Sequence, residues 1–322
     1  MSTATSLRTG LTLAVISALT FGVSGPFAKA LFDIGWSSGG AALVRMAGAA
    51  VVLLAASAVM MRGRWKAVVR RYRLLLAYGV VAVAGVQVCF FNAVQYLSVG
   101  VALLLEYLAP VIIVGWLWLR TRIRPSATTL VGTVVAMAGL VLVLDIGNSG
   151  TVHPIGLLWG LGAAVGLCCY FILSNKQSED LPPVVMAGVG MTIGAMTVIL
   201  LGVTGLLPIV FVNASTTLAG ISLPWVVPAL GLVLISTVIA YLTGIAAIAH
   251  LGPKLSSFVG LTEVLFAVLA SWLMLGELPV PIQLLGGALI VAGVVLVRLE
   301  PGRRLTAKRE LEDKARVNTV AP

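Results

Sequence analysis

Thr129-Leu130-Val131-Gly132, followed by Ala138-Gly139-Leu140-Val141-Leu142-Val143, returns 154 residues later as Gln283-Leu284-Leu285-Gly286, followed by Ala292-Gly293-Val294-Val295-Leu296-Val297. Upstream, Tyr96-Leu97-Ser98-Val99-Gly100 and Pro110-Val111 fall opposite Ile248-Ala249-His250-Leu251-Gly252 and Glu263-Val264, at offsets of 152 and 153. Chance similarity among Leu, Val, Ala and Gly competes with any one of these matches. Their common spacing argues instead for an internal repeat with small gaps.

Each copy lies in chain that is apolar over the width of a bilayer. Hydrophobic residues make up 60% of the 322 positions and charged residues 10%, against roughly 25% charged in soluble domains. About 20 residues at 1.5 Å each match a hydrocarbon core of about 30 Å. Ten such runs are read at 11–31, 40–61, 74–96, 100–119, 127–146, 155–174, 184–206, 226–248, 255–275 and 281–298. The first is longer than a typical signal-peptide core and is followed by others like it, so it reads as a membrane helix without cleavage. Cys89, Cys168 and Cys169 sit in apolar settings and suggest packing rather than a disulfide or metal framework.

The net charge of +10 invites a nucleic-acid reading, but the placement of the charges gives a better one. With ten spans and a cytoplasmic N-terminus, 19 of the 21 Lys and Arg residues fall on the cytoplasmic side, leaving only Lys29 and Arg45 within spans. An even number of spans returns the basic tail to the side of the basic 62–73 segment, as the positive-inside rule requires. Both termini are therefore expected in the cytoplasm, with anionic lipid headgroups as partners of the basic segments and no nucleic acid.

Five spans per repeat is an odd number, so the second unit enters the membrane from the opposite face, an arrangement that places a solute site between the halves. The expected fold is an all-α polytopic membrane protein of ten transmembrane helices, with one five-helix unit over 10–147, a second over 154–299 and a polar, basic tail over 300–322. The Gly-, Asn-, Ser- and Pro-containing stretch 147–154 separates the units, and 207–225 is the one long external loop.

The pattern resembles the drug/metabolite transporter superfamily, specifically its EamA-type members. The resemblance spans about residues 10–298 and is carried by Phe21-Gly22-Val23-Ser24-Gly25-Pro26, Arg45, Glu106-Tyr107-Leu108-Ala109-Pro110-Val111, Thr262-Glu263-Val264, Leu275-Gly276-Glu277 and Gln283-Leu284-Leu285-Gly286. It implies two EamA repeats in inverted topology and alternating access for metabolite efflux or exchange. The segment Glu106 to Pro110 is also similar to threonine/homoserine exporters. Two positions depart from the family pattern: Val264 replaces the usual Pro after the ninth-span Glu, and Leu119-Arg120 replaces the usual Gly-Glu after the fourth span.

Ionisable groups within hydrocarbon are costly, by roughly 2.5–3.5 kcal/mol each on insertion scales, and usually face protein or a water-filled cavity. Glu106 and Glu263 each qualify as a carrier of a coupling proton or partner of a substrate ammonium, the alternative being a fixed structural pair. Arg45 suits a substrate carboxylate because its planar fork donates two aligned hydrogen bonds. Lys29, nearer a helix end, reads as a snorkelling residue. Gln87, Asn92 and Gln95 fall within a polar arc of about 140° at 100° per residue and line either a cavity or a helix contact. Tyr107 and Tyr241 are further lining candidates. Pro26 and Pro110 remove backbone donors and interrupt their helices, while Gly156 and Gly160 permit close helix approach.

Neither a phosphate-binding loop nor a dinucleotide fingerprint occurs in the chain, and His153 and His250 are expected on opposite sides. The reading is a secondary transporter, not an enzyme, in a bacterial cytoplasmic (inner) membrane. It exports a small polar metabolite, an amino acid or related zwitterion, with no cofactor or metal and with the proton gradient as energy source. The competing readings are an exchanger of amphipathic amines or drug-like solutes and a nontransporting membrane enzyme or assembly protein. A homodimer is compatible with the sequence.

Overall fold

The computed structural model describes residues 3–61, 65–97, 99–143, 153–176, 181–276, 278 and 280–299. The connection at 147–152, Glu277 and the tail from 300 onward lie outside the described residues.

The chain begins with α1 (Thr3–Gly22), which breaks at Val23 and continues as α2 (Ser24–Phe32). Pro26 causes the interruption: it cannot donate to the carbonyl four residues back and its ring crowds that turn. Then follow α3 (Ser38–Met61), the short α4 (Lys66–Arg70) and a third span made of α5 (Tyr72–Ala77), a π-helical stretch Tyr78–Gly85 and α6 (Val86–Tyr96). The fourth span is split into α7 (Val99–Glu106) and α8 (Ala109–Thr121), with α9 (Ala127–Val143) closing the first half. The second half runs α10 (Pro154–Ser174), α11 (Pro183–Val203), a hairpin β1 (Ser215–Leu218) and β2 (Ile221–Pro224), then α12 (Val226–Leu230), a π-helical stretch Gly231–Ile239, α13 (Ala240–Gly260), α14 (Thr262–Leu275) and α15 (Pro281–Arg298).

Among the described residues, eight helical stretches are long and apolar enough to cross a membrane, and two expected spans are shorter, α9 and α14. The ninth span does not run unbroken over 255–275. The chain turns at Gly252, with φ 75° and ψ 165°, ahead of Pro253 inside α13, and breaks again at Leu261 before α14. The fourth span breaks likewise at Tyr107 and Leu108. Large apolar side chains face outward, as at Val51, Leu158 and Val203, whereas the interior is rich in Ala, Gly and Ser. That inside-out distribution suits a chain whose outer surface meets lipid rather than water.

The repeat seen in the sequence meets itself in space. A Cβ placed on Gly132 would lie 2.8 Å from the carbonyl oxygen of Gly293, and one on Gly293 would lie 2.6 Å from that of Gly132. Gly139 and Gly286 show the same reciprocity, at 2.5 and 2.6 Å. Helices α9 and α15 therefore cross antiparallel about an approximate twofold axis, backbone against backbone, because neither carries a side chain at the crossing. The two π-helical stretches also correspond, their first residues being 153 positions apart. The halves interdigitate: α1 packs mainly on α13 and α14, while α10 packs mainly on α6, α7 and the first π-helical stretch.

Within an otherwise helical structure, the loop 207–225 carries a short hairpin. Ser215 to Leu218 pair antiparallel with Pro224 to Ile221 around Ala219 and Gly220, both at positive φ (52° and 74°), as a two-residue type I′ turn requires. The hairpin is fixed to helix ends from both halves: the Thr216 hydroxyl donates to the Ala30 carbonyl at 2.6 Å, and the Ala219 N–H to that of Met274 at 2.8 Å.

Candidate functional site

Both helix breaks deliver a carboxylate to one cavity of about 840 Å³ between the halves. Glu106 is the last residue of α7, and Pro110, which has no N–H, leaves the Glu106 carbonyl without its helical donor. Glu263 lies in the first turn of α14, just after the second break. The two are not repeat-equivalent: Pro110, not Glu106, corresponds to Glu263 at the 153-residue offset. One carboxylate precedes its break, the other follows its own, and both line the cavity.

Arg45 enters from α3. Its Nε donates to Thr237 Oγ1 at 3.0 Å and its Nη2 to the Ser236 carbonyl at 3.5 Å, with the guanidinium carbon 5.7 Å from the Phe21 ring centre. The π-helical stretch Gly231–Ile239 makes this possible. Thr237 Oγ1 bonds back to the Leu232 carbonyl, five residues away, at 2.7 Å, which turns its oxygen toward Arg45. Of the guanidinium's five donors, those on Nη1 find no hydrogen-bond acceptor among the described residues. Arg45, Glu106, Glu263 and Tyr107 line the same cavity. The Arg45 guanidinium and two carboxylates thus line one cavity.

The remaining sequence-selected residues divide. Gln87, Tyr107, Pro110 and Tyr241 line the cavity. Asn92 does not: its side-chain amide donates to the Val88 carbonyl of its own helix at 2.8 Å. Five residues further along a helix is about 140° of rotation, so Gln87 and Asn92 occupy opposite edges of the polar arc. The Gln95 side chain lies outside the described residues. Pro26 is buried at the α1 to α2 break, away from the cavity lining. Gly156 and Gly160 are close-packing positions, against Leu97 and Leu105. Lys29 is exposed and lines the cavity at the end of α2.

Sequence reading passed over Ser17, Tyr170, Ser256 and Gln283, which also line the cavity. Ser17 and Tyr170 are 153 residues apart, the repeat spacing, and both hydroxyls converge on Gly244, where a Cβ would lie 2.6 Å from the Tyr170 oxygen and 2.7 Å from the Ser17 oxygen. That shared offset was the available signal. Aromatic walls complete the site: Phe21 meets Tyr241 edge-on at 5.1 Å, and Tyr241 meets Tyr170 at 5.6 Å.

A cavity between two repeats, lined by charges from broken helices, is the arrangement of a solute carrier. The sequence profile of the EamA-like transporter family matches residues 8–145 and again 154–299. The chain belongs to the EamA-like transporter family. An "Uncharacterized inner membrane transporter YicL" of Salmonella typhimurium is 28% identical over 238 residues, covering 72% of this chain and 75% of the relative. The "Threonine/homoserine exporter RhtA" of Escherichia coli is 28% identical over 245 residues, 74% of each chain. The "Uncharacterized transporter YwfM" of Bacillus subtilis is 26% identical over 235 residues, 73% of this chain and 76% of the relative. A solved crystal structure of another protein superposes with a TM-score of 0.70 at 20% identity, over 94% of this chain and 99% of its own, which establishes a shared fold. This EamA-family chain is accordingly a multi-pass membrane transporter rather than an enzyme.

Proposed function

We propose that this EamA-family protein exports a small zwitterion, an amino acid or close relative, across the inner membrane by proton-coupled alternating access. The observation that carries the proposal is the Arg45 guanidinium set with two carboxylates on the lining of one cavity. Arg45 presents its open Nη1 edge to the substrate carboxylate. One glutamate receives the substrate ammonium while the other accepts and releases a proton. The printed activity of RhtA, a threonine/homoserine exporter, agrees with this substrate class.

Ten spans in two inverted halves of five fit the antiparallel crossing of α9 and α15, with α9 and α14 counted as the shorter spans. With the basic segments and both termini in the cytoplasm, the cavity reaches the outer side at Lys29, Phe32 and Leu278. The cytoplasmic side is closed by Leu7 and Leu11 against Leu251 and Leu255, and by Ser6 and His250, whose Oγ and Nδ1 lie 3.2 Å apart. The structure then corresponds to an outward-facing state.

A second reading, exchange of amphipathic amines, is favoured by the aromatic walls and by a volume of about 840 Å³, ample for a drug-sized solute. Purified protein in proteoliposomes separates the two. Labelled threonine counterflow accompanied by proton movement, and not competed by cationic amphiphiles, supports zwitterion export. Amphiphile exchange without threonine flux supports the second reading. Threonine flux indifferent to an imposed pH gradient removes the proton from the mechanism.

A further inference from the structure

Below the cavity the polar groups do not stop. Tyr241 and Tyr170 line it, the Tyr170 ring lies 6.1 Å from that of Tyr78, and Ser174 follows one turn after Tyr170 on α10, which packs on the π-helical stretch carrying Tyr78. Tyr78 and Ser174 lie outside the cavity lining and are fully buried, in the third span and at the last residue of α10. This row leads toward the end of the bundle that carries Trp65–Arg73 and Lys176. The hydroxyl oxygens of Tyr170, Tyr78 and Ser174 close no hydrogen bond of acceptable geometry. The Tyr78 ring is seated against Gly190, where a Cβ would lie 2.5 Å from it, so its snug fit is supplied by shape and not by a polar partner.

Buried hydroxyls in folded proteins are nearly always hydrogen-bonded, so three consecutive open ones mark groups able to take a partner such as a water or a polar solute. They sit where three helices from both halves meet, α10 against the third span and α13. We infer that Tyr170, Tyr78 and Ser174 line the cytoplasmic half of the solute path, closed below Tyr170 in this structure, and that in the inward-open state they hydrogen-bond a small polar solute as it moves between Glu263 and the cytoplasm. The inference rests on the alternating-access reading.

The test uses full-length protein lacking its own thiols (Cys89→Ala, Cys168→Ala, Cys169→Ala). In inside-out vesicles, Ser174→Cys reacts with a membrane-impermeant maleimide about tenfold faster during threonine counterflow than at rest, as expected when the open state is otherwise a few per cent populated. Right-side-out vesicles show no such reaction. Leu53→Cys, equally buried but in an apolar contact with Gly188, stays unreactive. Absence of labelling from the inner face, or equal labelling of Leu53→Cys, overturns the inference. If threonine is not a substrate, reaction of Ser174→Cys from the inner face alone still supports the path, so the two readings fail separately. In the native-cysteine protein, Tyr78→Phe removes only the open hydroxyl. Its melting temperature holds, and threonine counterflow slows about fivefold, the worth of one hydrogen bond made while the solute passes. A lowered melting temperature with unchanged flux assigns Tyr78 to packing and overturns its part in the path.

Discussion

Replacing Arg45 by lysine keeps the charge and removes the fork. In the structure Nε and Nη2 are committed to Thr237 and to the Ser236 carbonyl, and this leaves Nη1 for a solute carboxylate. A single ammonium placed at the end of the shorter lysine stem faces the same two acceptors and has no second nitrogen to extend into the cavity. The variant is therefore expected to keep its fold and lose one charged hydrogen bond to substrate. Such a bond is worth about 1.5–3 kcal/mol, and at 1.4 kcal/mol per factor of ten the half-saturation concentration rises by about 10- to 150-fold. Because the contact is made in the bound ground state as well as during translocation, the maximal rate changes far less. The assay is concentration-dependent counterflow of labelled threonine into proteoliposomes, with melting temperature measured on the same preparation. A half-saturation value within twofold of the native protein, at equal stability, refutes the proposed carboxylate clamp.

Three further outcomes follow from the same geometry. Glu106→Gln retains hydrogen bonding but cannot exchange a proton, so solute flux is expected to lose its response to an imposed pH gradient, read with a pH-sensitive dye inside the vesicles. Gly139→Val places a side chain where a Cβ already lies 2.5 Å from the Gly286 carbonyl. Overpacking of this kind costs about 1–3 kcal/mol and appears as a lower melting temperature in detergent, whereas substituting the open Gly115 leaves it near the native value. Arg122→Gly is expected to stabilise: Arg122 ends α8 at φ 58°, where its counterpart 154 residues later is Gly276 at φ 74°. Relief of a left-handed non-glycine residue is worth about 1 kcal/mol, seen as a raised melting temperature.

The sequence made the spans and the repeat legible because membrane length and a fixed offset survive in a uniformly apolar chain. Gly132, Gly139, Gly286 and Gly293, conspicuous in the two matched motifs, form the crossing of α9 with α15. Arg45, Glu106 and Glu263 stood out for a similar reason, since a charge in hydrocarbon needs an enclosed polar setting. What such a chain conceals is rotation. When nearly every position is apolar there is no stripe to show which way a helix faces, so Ser17, Tyr170 and Ser256 were passed over and Asn92 stayed open between the cavity and a helix contact. The π-helical stretches were illegible too, because the change of period within Tyr78–Gly85 leaves no polar residue out of phase. The hairpin was hidden by its length: four residues per strand give too little alternation to distinguish it from a loop. At the 154-residue offset the position of Gly276 is taken by Arg122, three residues beyond Leu119. The first half ends its fourth span on a strained Arg122, and the second ends its ninth on a glycine suited to that turn.

The most direct test of the account is trans-stimulated exchange through the cavity. Proteoliposomes preloaded with unlabelled threonine are expected to take up labelled threonine transiently above its equilibrium level. That overshoot is expected to be lost when Arg45→Ala and Glu263→Gln are combined in a protein that still melts cooperatively. Threonine uptake that shows no stimulation by internal solute, or an overshoot that survives the loss of both cavity charges, contradicts it.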